Sequence, residues 1–376
     1  MRILMPIDRT HGGAFNTSFT LAKQLKKKGH TVTFLAPEYN GSTTKEDIEI
    51  IGLDLKKTRY PVYRRRLLAL SKRLDKLSRE YDLIHTQGYF TTLPFLKQSS
   101  KPIVSTIRDY WPISYRRNLL DQNLDIRLRH PPRVVLKTAI RDYGLLGLAL
   151  APYLLKIQKE NRKLLSRSKK LICMSNYVEK VMKINNFKNT ITIKNAVDFS
   201  KFTAEEKETE FRVLYLGGDQ VAKGGKYLIK AAKKGGFCTI IVGMSKGKKT
   251  ERNITFLPYV SHDKIPSLIS TSSVVVVPSI WPEPLSRVIL ETFALKKPVI
   301  ATDTGGSPEI VEDGINGFLI KPKSASAIQK AVKKMQKIGK AERDQMGLNG
   351  FQKVKKEHNP KRIAEQHLKV YKEVLT

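Results

Sequence analysis

The most constraining feature of this 376-residue sequence is a run of four valines, Val274–Val277, that lies between helical patterns. A continuous apolar run of this length is typical of a parallel strand that is buried on both faces of a sheet. Other apolar runs, such as Ile240–Val242, alternate with helical patterns along the whole chain. Repeated strand–helix–strand units predict doubly wound α/β sheets, which bind ligands at the carboxyl ends of their strands.

Two series of apolar segments mark the predicted strands, one in each half of the chain. The first series comprises Arg2–Ile7, Thr31–Ala36, Leu83–His85, Ile103–Thr106, Leu171–Met174 and Thr190–Lys194. The second series comprises Phe211–Leu216, Phe237–Val242, Ile254–Phe256, Val274–Val277, Pro298–Ala301 and Gly317–Ile320. The polar segment Asp198–Glu210 separates them and is the predicted linker between domains at residues 1–200 and 205–358.

Helical patterns lie between the predicted strands. The first covers about Asn16–Lys28 and is closed by Gly29, which stands where a C-cap glycine belongs. Longer basic patterns cover Arg64–Glu80 and Arg133–Arg167. No strand follows the last helical pattern, about Pro360–Leu375, so residues 360–376 are expected to pack against the first domain.

The charge of the chain indicates an anionic partner. The sequence has 69 lysine and arginine residues against 34 aspartate and glutamate residues, a formal charge of +35. Residues 51–200 hold 31 of these basic and 11 of these acidic side chains. Such a field attracts nucleic acid, a lipid surface or phosphorylated substrates, and a merely solvated lysine-rich surface is the alternative. An apolar content of 40% excludes a disordered polybasic chain.

Three features concern the cellular location. Cys173 and Cys238 lie in apolar runs, which predicts buried strand thiols of a reducing compartment and excludes a disulfide scaffold. The apolar segment Met1–Ile7 is shorter than the core of a signal peptide. The longest lipophilic segment, Tyr143–Leu155, has 13 residues, whereas a membrane-spanning helix needs about 20. We therefore expect a cytoplasmic protein that does not span a membrane.

The segment Tyr143–Leu155 lies between two groups of cations. An interfacial segment that faces anionic headgroups has this composition, at about 1 kcal/mol per basic residue near the surface. We therefore predict peripheral binding to the cytoplasmic face of an anionic membrane, with a helix of the domain core as the alternative. The flanking cations are Arg133, Lys137, Arg141, Lys156, Lys159, Arg162, Lys163 and Arg167.

Residues 278–317 contain the side chains with the most informative chemistry. Ser286 follows a proline-rich loop and is a predicted N-cap of a short helix. The N–H groups at the start of this helix are expected to meet a phosphate at the end of the Val274–Val277 strand. Glu283 lies in the loop before the helix, and Glu291 lies more than one turn into it. A carboxylate held there suits the vicinal hydroxyls of a ribose.

The spacing of Glu283 and Glu291 resembles the Glu–x7–Glu pattern of the retaining GT-B nucleotide-sugar glycosyltransferases of the family 4 group. The surrounding sequences, PEPLSRVILE and TGGSPEIVEDGING, are similar to that family almost residue for residue. Gly12–Gly13, Lys223–Gly224 and Asn195–Asp198 extend the likeness over nearly the whole chain. The resemblance implies an α/β fold with two Rossmann-like doubly wound domains that face a central cleft.

The resemblance also implies functional roles. Glu283 would contact hydroxyls of the transferred sugar, Glu291 would hold the ribose, and Lys223 would stabilise the leaving nucleoside diphosphate. Metal is not normally required in this family, and no cofactor is expected. The other donor-binding candidates are Gly12, Gly13, Leu285, Ser286, Tyr259 and Val260. The first four would approach the diphosphate through their backbone, and the loop of Tyr259 and Val260 would read the base.

The sequence departs from the family at two positions near the expected site. Gly218 stands where the family often has an arginine, so one diphosphate contact is missing or comes from elsewhere, with Arg287 as a candidate. Arg108 stands where many members have histidine, while Asp109 keeps its place as a catalytic and acceptor-side candidate. His85, at the end of a predicted strand, is a further acceptor-side candidate, with a structural hydrogen bond as the alternative.

The resemblance therefore implies a retaining, metal-independent glycosyltransferase that moves a sugar from a nucleotide diphosphate donor to a glycan acceptor, which we expect to be lipid-linked. A nucleotide-sugar epimerase of the same fold is one alternative, although it would need more acid–base residues than Asp109 and His85. A nucleic-acid-binding protein is the other alternative. The basic region lacks an RNP motif, zinc-ligand spacing or a helix-turn-helix, so no nucleic-acid partner is expected.

Overall fold

The structure, a computed structural model, describes residues 1–38, 41–55, 62–203 and 208–376. The chain divides into two compact units. The first unit contains Met1–Ala196 together with Pro360–Thr376, and the second contains Val197–Asn359. Residues 204–207 of the predicted linker lie outside the described residues.

The first unit is built around a sheet of eight described strands. These are β1 (Arg2–Pro6), β2 (Thr31–Ala36), β3 (Ser42–Lys45), β4 (Ile48–Gly52), β5 (Leu83–Thr86), β6 (Ile103–Ile107), β7 (Lys170–Cys173) and β8 (Thr190–Thr192). Their order is β3-β4-β2-β1-β5-β6-β7-β8, with all neighbours parallel except β3 and β4. The helices are α1 (Gly12–Lys27), α2 (Val62–Ala69), α3 (Ser71–Ser78), α4 (Thr92–Lys97), α5 (Pro132–Tyr143), α6 (Leu146–Leu165) and α7 (Asn176–Ile184).

The second unit repeats this architecture around seven described strands. These are β9 (Val213–Tyr215), β10 (Thr239–Val242), β11 (Lys249–Glu251), β12 (Ile254–Leu257), β13 (Val274–Val277), β14 (Val299–Thr302) and β15 (Gly317–Ile320). Their order is β11-β12-β10-β9-β13-β14-β15, and only β11 and β12 are antiparallel. The helices are α8 (Gly225–Gly235), α9 (Ile265–Ser270), α10 (Arg287–Ala294), α11 (Ser307–Ile310), α12 (Ala325–Lys337) and α13 (Gly339–Glu357).

The apolar runs predicted the buried strands correctly. Each predicted strand is present, with bounds that differ by at most two residues at either end. Strand β13 is buried along its whole length between β9 and β14, as its four valines indicated. The edge strands β3 and β11 were missed because their sequences are polar and their residues are exposed. Strand β4, which pairs with β3 and β2, was also missed, and only two of its five residues are buried. Cys173 is buried, whereas Cys238 is only half-buried and immediately precedes β10.

Two predicted helical segments are each divided in the structure. The segment Arg64–Glu80 forms α2 and α3, and Arg133–Arg167 forms α5 and α6. Gly144 ends α5 with a φ of +60°, a conformation that favours glycine. A Cβ atom on Gly147 would lie 2.3 Å from the carbonyl oxygen of Ala139, so the two helices approach closely. Helices α5 and α6 therefore form an antiparallel hairpin rather than the single helix that periodicity favoured.

The C-terminal helix α14 (Pro360–Leu375) packs in the first unit, although it follows the second unit in sequence. Its apolar face joins the core formed by β1, β2 and α1 through Ile363, Ala364, Val370 and Tyr371. At the rim, the side chain of Lys28, the residue that follows α1, lies 2.8 Å from the carboxylate of Glu365. The first unit is therefore completed by a segment from the far end of the chain.

Two buried histidines lie where α14 meets the sheet. The hydroxyl of Tyr371 is 2.7 Å from Nδ1 of His85, and the ring centroids of His85 and His367 are 5.5 Å apart. Burial lowers the pKa of His367 to about 4, and burial also lowers the pKa of His85. The positive charge of Arg108 lowers both pKa values further.

We expect the first unit to lose stability in mild acid. The unfolded chain takes up protons on histidine below pH 6.5, whereas folded His367 stays neutral until about pH 4, so stability falls as pH falls through this window. For His367 alone, the free energy of unfolding should drop by about 2 kcal/mol between pH 7 and pH 5. Urea unfolding of the wild type and of His367→Gln measures this drop, with the exposed His11→Gln as control. Equal drops in all three proteins would contradict the assignment.

Candidate functional site

In the second unit, β13 leads into a loop that positions Glu283 and then into helix α10. The N–H of Gly306 donates to the carbonyl of Glu283 over 2.8 Å. Gly305 has a φ of +63°, and a Cβ atom there would lie 2.4 Å from that same carbonyl oxygen. Glycine is therefore required in the turn that holds the backbone of Glu283.

Lys223 and Glu283 form an ion pair, with 3.0 Å between Nζ and Oε1. The hydroxyl of Ser279 also donates to Oε1 of Glu283. Lys223 is followed by Gly224, which has a φ of +73° and whose Cβ position lies 1.9 Å from the carbonyl oxygen of Pro278. The lysine–glycine pair thus packs directly against the loop after β13, which brings the cation to the carboxylate.

Glu291 is buried in α10 and accepts hydrogen bonds from two cationic or ionisable partners. Nε of Arg287 donates over 3.0 Å, and Nε2 of His262 lies 3.1 Å from the same Oε1 atom. Burial alone would raise the pKa of the Glu291 carboxyl, but His262 and Arg287 together outweigh it and lower the pKa. Arg287, a candidate for the missing diphosphate contact, is thus engaged by Glu291.

The predicted base-reading loop carries an exposed aromatic ring. Tyr259 is 72% exposed, and its ring lies on the backbone of Gly218 and Gly243. A Cβ atom on Gly218 would come within 2.5 Å of the Tyr259 hydroxyl, and Gly218 also has a φ of +68°. Both facts explain why an arginine does not fit at position 218. Val260 follows in the same loop and is half-buried.

The start of α10 carries two further donor-binding candidates. Ser286 occupies the N-cap position that the sequence predicted, but its side chain makes no capping hydrogen bond. Leu285 and Ser286 are both buried. The serine side chain therefore leaves the N–H groups of the first helical turn to other acceptors.

In the first unit, a cavity of about 710 Å³ lies at the carboxyl ends of β1, β2, β5 and β6. Gly12 and Gly13 precede the predicted helical segment Asn16–Lys28, but in the structure they are the first residues of α1, and they line this cavity. Asp109 and Arg108 line it as well. The first unit thus gathers the predicted glycine and acceptor-side residues in one cavity, with the exception of His85.

The acceptor-side candidates are held by different partners. Asp109 pairs with Arg117 and accepts the N–H of Trp111 over 2.9 Å. Arg108 donates to the side-chain oxygen of Gln87 over 2.6 Å. His85 is fully buried beneath them and does not line the cavity, so its candidacy as an acceptor-side residue is corrected to a structural role in the core.

Sequence reasoning missed His262 as a partner of Glu291. The residue begins a 3₁₀ turn, His262–Lys264, and directly follows the loop of Tyr259 and Val260. Its position next to that loop in the sequence was the feature from which this role could have been predicted.

Among the described residues, no three His, Cys, Asp or Glu side chains are grouped so that they could hold a metal ion. No helix in the described part of the chain is long and apolar enough to cross a bilayer.

Family comparisons match both halves of the chain. Residues 11–201 match the family described as Glycosyltransferase Family 4, and residues 197–353 match the one described as Glycosyl transferases group 1. The chain is 34% identical over 134 residues to spore coat protein SA of Bacillus subtilis, which covers 33% of each chain. It is 30% identical over 138 residues to alpha-D-kanosaminyltransferase of Streptomyces kanamyceticus, which covers 33% of this chain and 36% of that protein. The chain thus spans about a third of the length of these curated relatives.

Solved structures resemble the whole chain. Sucrose-phosphate synthase from Thermosynechococcus elongatus superposes with a TM-score of 0.77 at 19% identity, covering 99% of this chain and 98% of that one. Anabaena HepE in complex with UDP and glucose superposes with a TM-score of 0.72 at 18% identity, covering 98% and 99%. At these identities the likeness shows the fold alone, which is an α/β fold of two Rossmann-like units.

Proposed function

Since the chain belongs to glycosyltransferase family 4 and has its GT-B fold, we propose that it transfers a sugar from a nucleotide diphosphate donor to a glycan acceptor. The observation that carries this proposal is the grouping of Lys223, Glu283 and Glu291 around one loop and helix of the second unit. One cation and two buried carboxylates are a suitable set for a diphosphate and for the hydroxyls of a ribose and a sugar.

Each donor-binding residue takes a distinct part in this proposal. Glu291 accepts hydrogen bonds from the ribose hydroxyls. Lys223 neutralises the negative charge of the diphosphate, to which the backbone amides of Leu285 and Ser286 also donate. The exposed ring of Tyr259, with Val260 beside it, provides a surface for the base. The kanosaminyltransferase name and the UDP and glucose of the HepE structure support a nucleotide-sugar donor.

The proposed chemistry is retaining and metal-independent. Departure of the nucleoside diphosphate leaves negative charge on its terminal phosphate, and Lys223 with the start of α10 would stabilise that charge. Glu283 accepts hydrogen bonds from Lys223 and Ser279, and it would also accept hydrogen bonds from hydroxyls of the transferred sugar. Asp109 would act on the acceptor side, and Gly12 and Gly13, which line the same cavity of the first unit, would approach the donor diphosphate through their backbone.

A thermal-shift screen tests the proposed donor class. The expected result is a clear rise in melting temperature with at least one nucleoside diphosphate, because a ligand at ~100 times its Kd adds ~2.7 kcal/mol of stability. The matching nucleoside should give a smaller rise, since it lacks the diphosphate. Absence of a shift with all common nucleoside diphosphates and nucleotide sugars would overturn the proposal.

The tip of the α5–α6 hairpin supports a membrane location for the acceptor. Leu145 is 84% exposed and Leu146 61% exposed. Tyr143 and Leu148 are also exposed there, whereas Ala151 and Leu154, further along the same segment, are buried against α5 as the alternative of a core helix predicted. Exposed apolar side chains between two groups of cations suit the interface of an anionic bilayer. We therefore propose that the protein binds the cytoplasmic face of a membrane, where it would meet a lipid-linked glycan.

Liposome co-sedimentation should show binding to anionic vesicles that weakens in high salt, and little binding to neutral vesicles. Leu145→Glu places a charge among the apolar side chains of the hairpin tip and should reduce sedimentation several-fold. The control is Ile315→Glu, since Ile315 is a similarly exposed apolar residue of the second unit. Equal binding to both kinds of vesicle, or to neither, would remove the membrane from this proposal.

A further inference from the structure

A second cavity of the first unit lies beside helix α5 and has a volume of about 440 Å³. It shares no described lining residue with the cavity at the carboxyl ends of the strands. Its volume is within the range of small-ligand sites, about 300–1,000 Å³. We call it the basic cavity, because its described lining has four basic side chains and one acidic side chain. These are Arg127, Arg129, Arg133, Lys137 and Asp121.

The carboxylate of Asp121 is buried and is fully used by the protein. One of its oxygens accepts the N–H groups of Asn123 and Asp125, at 2.8 and 3.0 Å. Its other oxygen accepts Nε of Arg127 over 2.9 Å. Asp121 thus neutralises Arg127, and the other three basic side chains of the described lining are left without a carboxylate.

Arg129 is held in one orientation and keeps its positive charge. Its Nε and Nη2 atoms donate to the carbonyl oxygen of Ile184, the last residue of α7, over 3.2 and 2.9 Å. A carbonyl group is neutral, so the guanidinium group stays uncompensated. The N–H groups of Nη1 have no partner among the described residues and are available to a ligand.

Arg133 and Lys137 lie one turn apart on the same face of α5 and are both exposed. Neither side chain forms an ion pair or a hydrogen bond with a described residue. The one carboxylate of α5, Asp142, lies at the other end of the helix and pairs with Arg116. Like charges at this spacing destabilise a helix, and an anion bound between them would remove the repulsion.

The segment 121–131, which forms the other wall of the basic cavity, is fixed by two buried side chains. Nδ2 of Asn185 donates to the carbonyl oxygen of Leu128 over 2.8 Å. Nε2 of Gln158 donates to the carbonyl oxygen of His130 over 3.1 Å. Because the wall is already ordered, a ligand does not have to order it on binding, which favours affinity.

We propose that the basic cavity binds a terminal phosphate group, which Arg129, Arg133 and Lys137 hold between them. Phosphate oxygens accept several hydrogen bonds from cations at once, and guanidinium groups match their geometry. The site goes beyond the proposed glycosyl transfer, because none of these three residues belongs to the proposed donor or acceptor sets. Such a phosphate belongs either to a lipid headgroup or to a free ligand, and two experimental arms separate these sources.

The first arm titrates the soluble anions glycerol 3-phosphate and pyrophosphate by calorimetry. Lys223→Ala is the background, so that the cation of the proposed donor site does not compete. We expect saturable binding that weakens in high salt. Adding Arg133→Gln and Lys137→Gln together should weaken it at least ~10-fold, because hydrogen bonds to charged groups are lost.

The matched control is the pair Lys72→Gln and Lys76→Gln. Lys72 and Lys76 are exposed, have the same spacing on α3 of the same unit, and do not line the basic cavity. This pair removes the same net charge and should leave the affinity for the soluble anions unchanged. Equal weakening by both pairs would reveal an effect of net charge alone and would overturn the inference.

The second arm compares co-sedimentation with phosphatidic acid vesicles and with phosphatidylglycerol vesicles of equal surface charge. Phosphatidic acid has a terminal phosphate, whereas the phosphate of phosphatidylglycerol is a diester. A preference for phosphatidic acid that Arg133→Gln with Lys137→Gln abolishes, and the control pair retains, identifies the lipid headgroup as the source. Soluble-anion binding without this preference identifies a free phosphate. Absence of any binding that depends on Arg133 and Lys137 in both arms would overturn the inference.

Nucleoside diphosphate binding keeps this test separate from that of the proposed function. In a chain with Lys223 intact, Arg133→Gln with Lys137→Gln should retain the thermal shift given by the nucleoside diphosphate, because the proposed diphosphate contacts of Lys223, Leu285 and Ser286 lie in the second unit. Loss of that shift in the double variant would contradict the separation of the two sites and overturn the inference. Absence of the shift in the wild type would overturn the proposed function and leave the phosphate site to be decided by the two arms.

Discussion

Replacement of Glu291 by glutamine is expected to weaken the binding of a nucleoside diphosphate roughly 10- to 150-fold while the fold remains intact. A hydrogen bond to a charged group contributes about 1.5–3 kcal/mol, which corresponds to this range of affinity. Glutamine keeps the shape of the side chain in α10 but removes the charge that Arg287 and His262 now contact. Isothermal titration calorimetry with the nucleoside diphosphate found in the thermal-shift screen measures the loss.

The affinity for the nucleoside without phosphates shows whether Glu291 contacts the ribose or the diphosphate. Because the ribose is present in both ligands, Glu291→Gln should weaken the nucleoside and the nucleoside diphosphate by similar factors. Glu342→Gln is the matched control, since Glu342 is an exposed glutamate in the first turn of α13 in the same unit. Unchanged affinity of Glu291→Gln for both ligands would show that the ribose is held elsewhere.

The sequence predicted the buried strands of both units because burial on two faces requires a continuous apolar run. Strand β13 is the clearest example, since its four valines are also its full extent. Strands β3 and β11 lie at sheet edges, where neither a long apolar run nor strict alternation is required, and β4 lies next to β3 with only part of its length buried. The break at Gly144 was missed for a different reason, because helical periodicity continues on both sides of it.

The donor side of the site was predictable where its residues belong to a contiguous motif. Glu283 and Glu291 are close in sequence, and the structure places both at the loop and helix after β13. Lys223 is 60 residues from Glu283, and its ion pair depends on the packing of Gly224 against Pro278. His262 reaches Glu291 from another segment in the same way. Such contacts depend on how strands are ordered in the sheet, which periodicity does not reveal.

Four aromatic residues line the cavity of the first unit, and they were not predicted as a group because they come from separate segments. Tyr63 is in α2, Tyr89 and Phe90 precede α4, and Trp111 follows β6. Each ring taken alone is an ordinary core residue in the sequence. The sheet order places β1 beside β5 and β5 beside β6, and this order brings the ends of these segments to one edge. Asp8, at the end of β1, then fixes two of the rings by accepting their backbone N–H groups.

Replacement of Lys223 by alanine is expected to reduce turnover roughly 100- to 1,000-fold, because removing one preorganised donor to a developing negative charge has an effect of this size. Lys223→Arg keeps the positive charge and should lose less. The nucleoside diphosphate should bind more weakly to Lys223→Ala, while the nucleoside should bind as it does to the wild type. Lys226→Ala is the control, since Lys226 is an exposed lysine only three residues away. Equal weakening of both ligands would show that Lys223 is structural.

Lys223→Ala also leaves the buried carboxylate of Glu283 without its cation, and this charge alone would repel a diphosphate. The double variant Lys223→Ala with Glu283→Gln separates the two causes, because it removes both charges of the pair. If Lys223 contacts the diphosphate directly, the double variant should bind the nucleoside diphosphate as weakly as the single variant does. Recovery of wild-type affinity in the double variant would mean that Lys223 acts only by neutralising Glu283. Calorimetric titration of the four proteins of this cycle, including Glu283→Gln alone, distinguishes these outcomes.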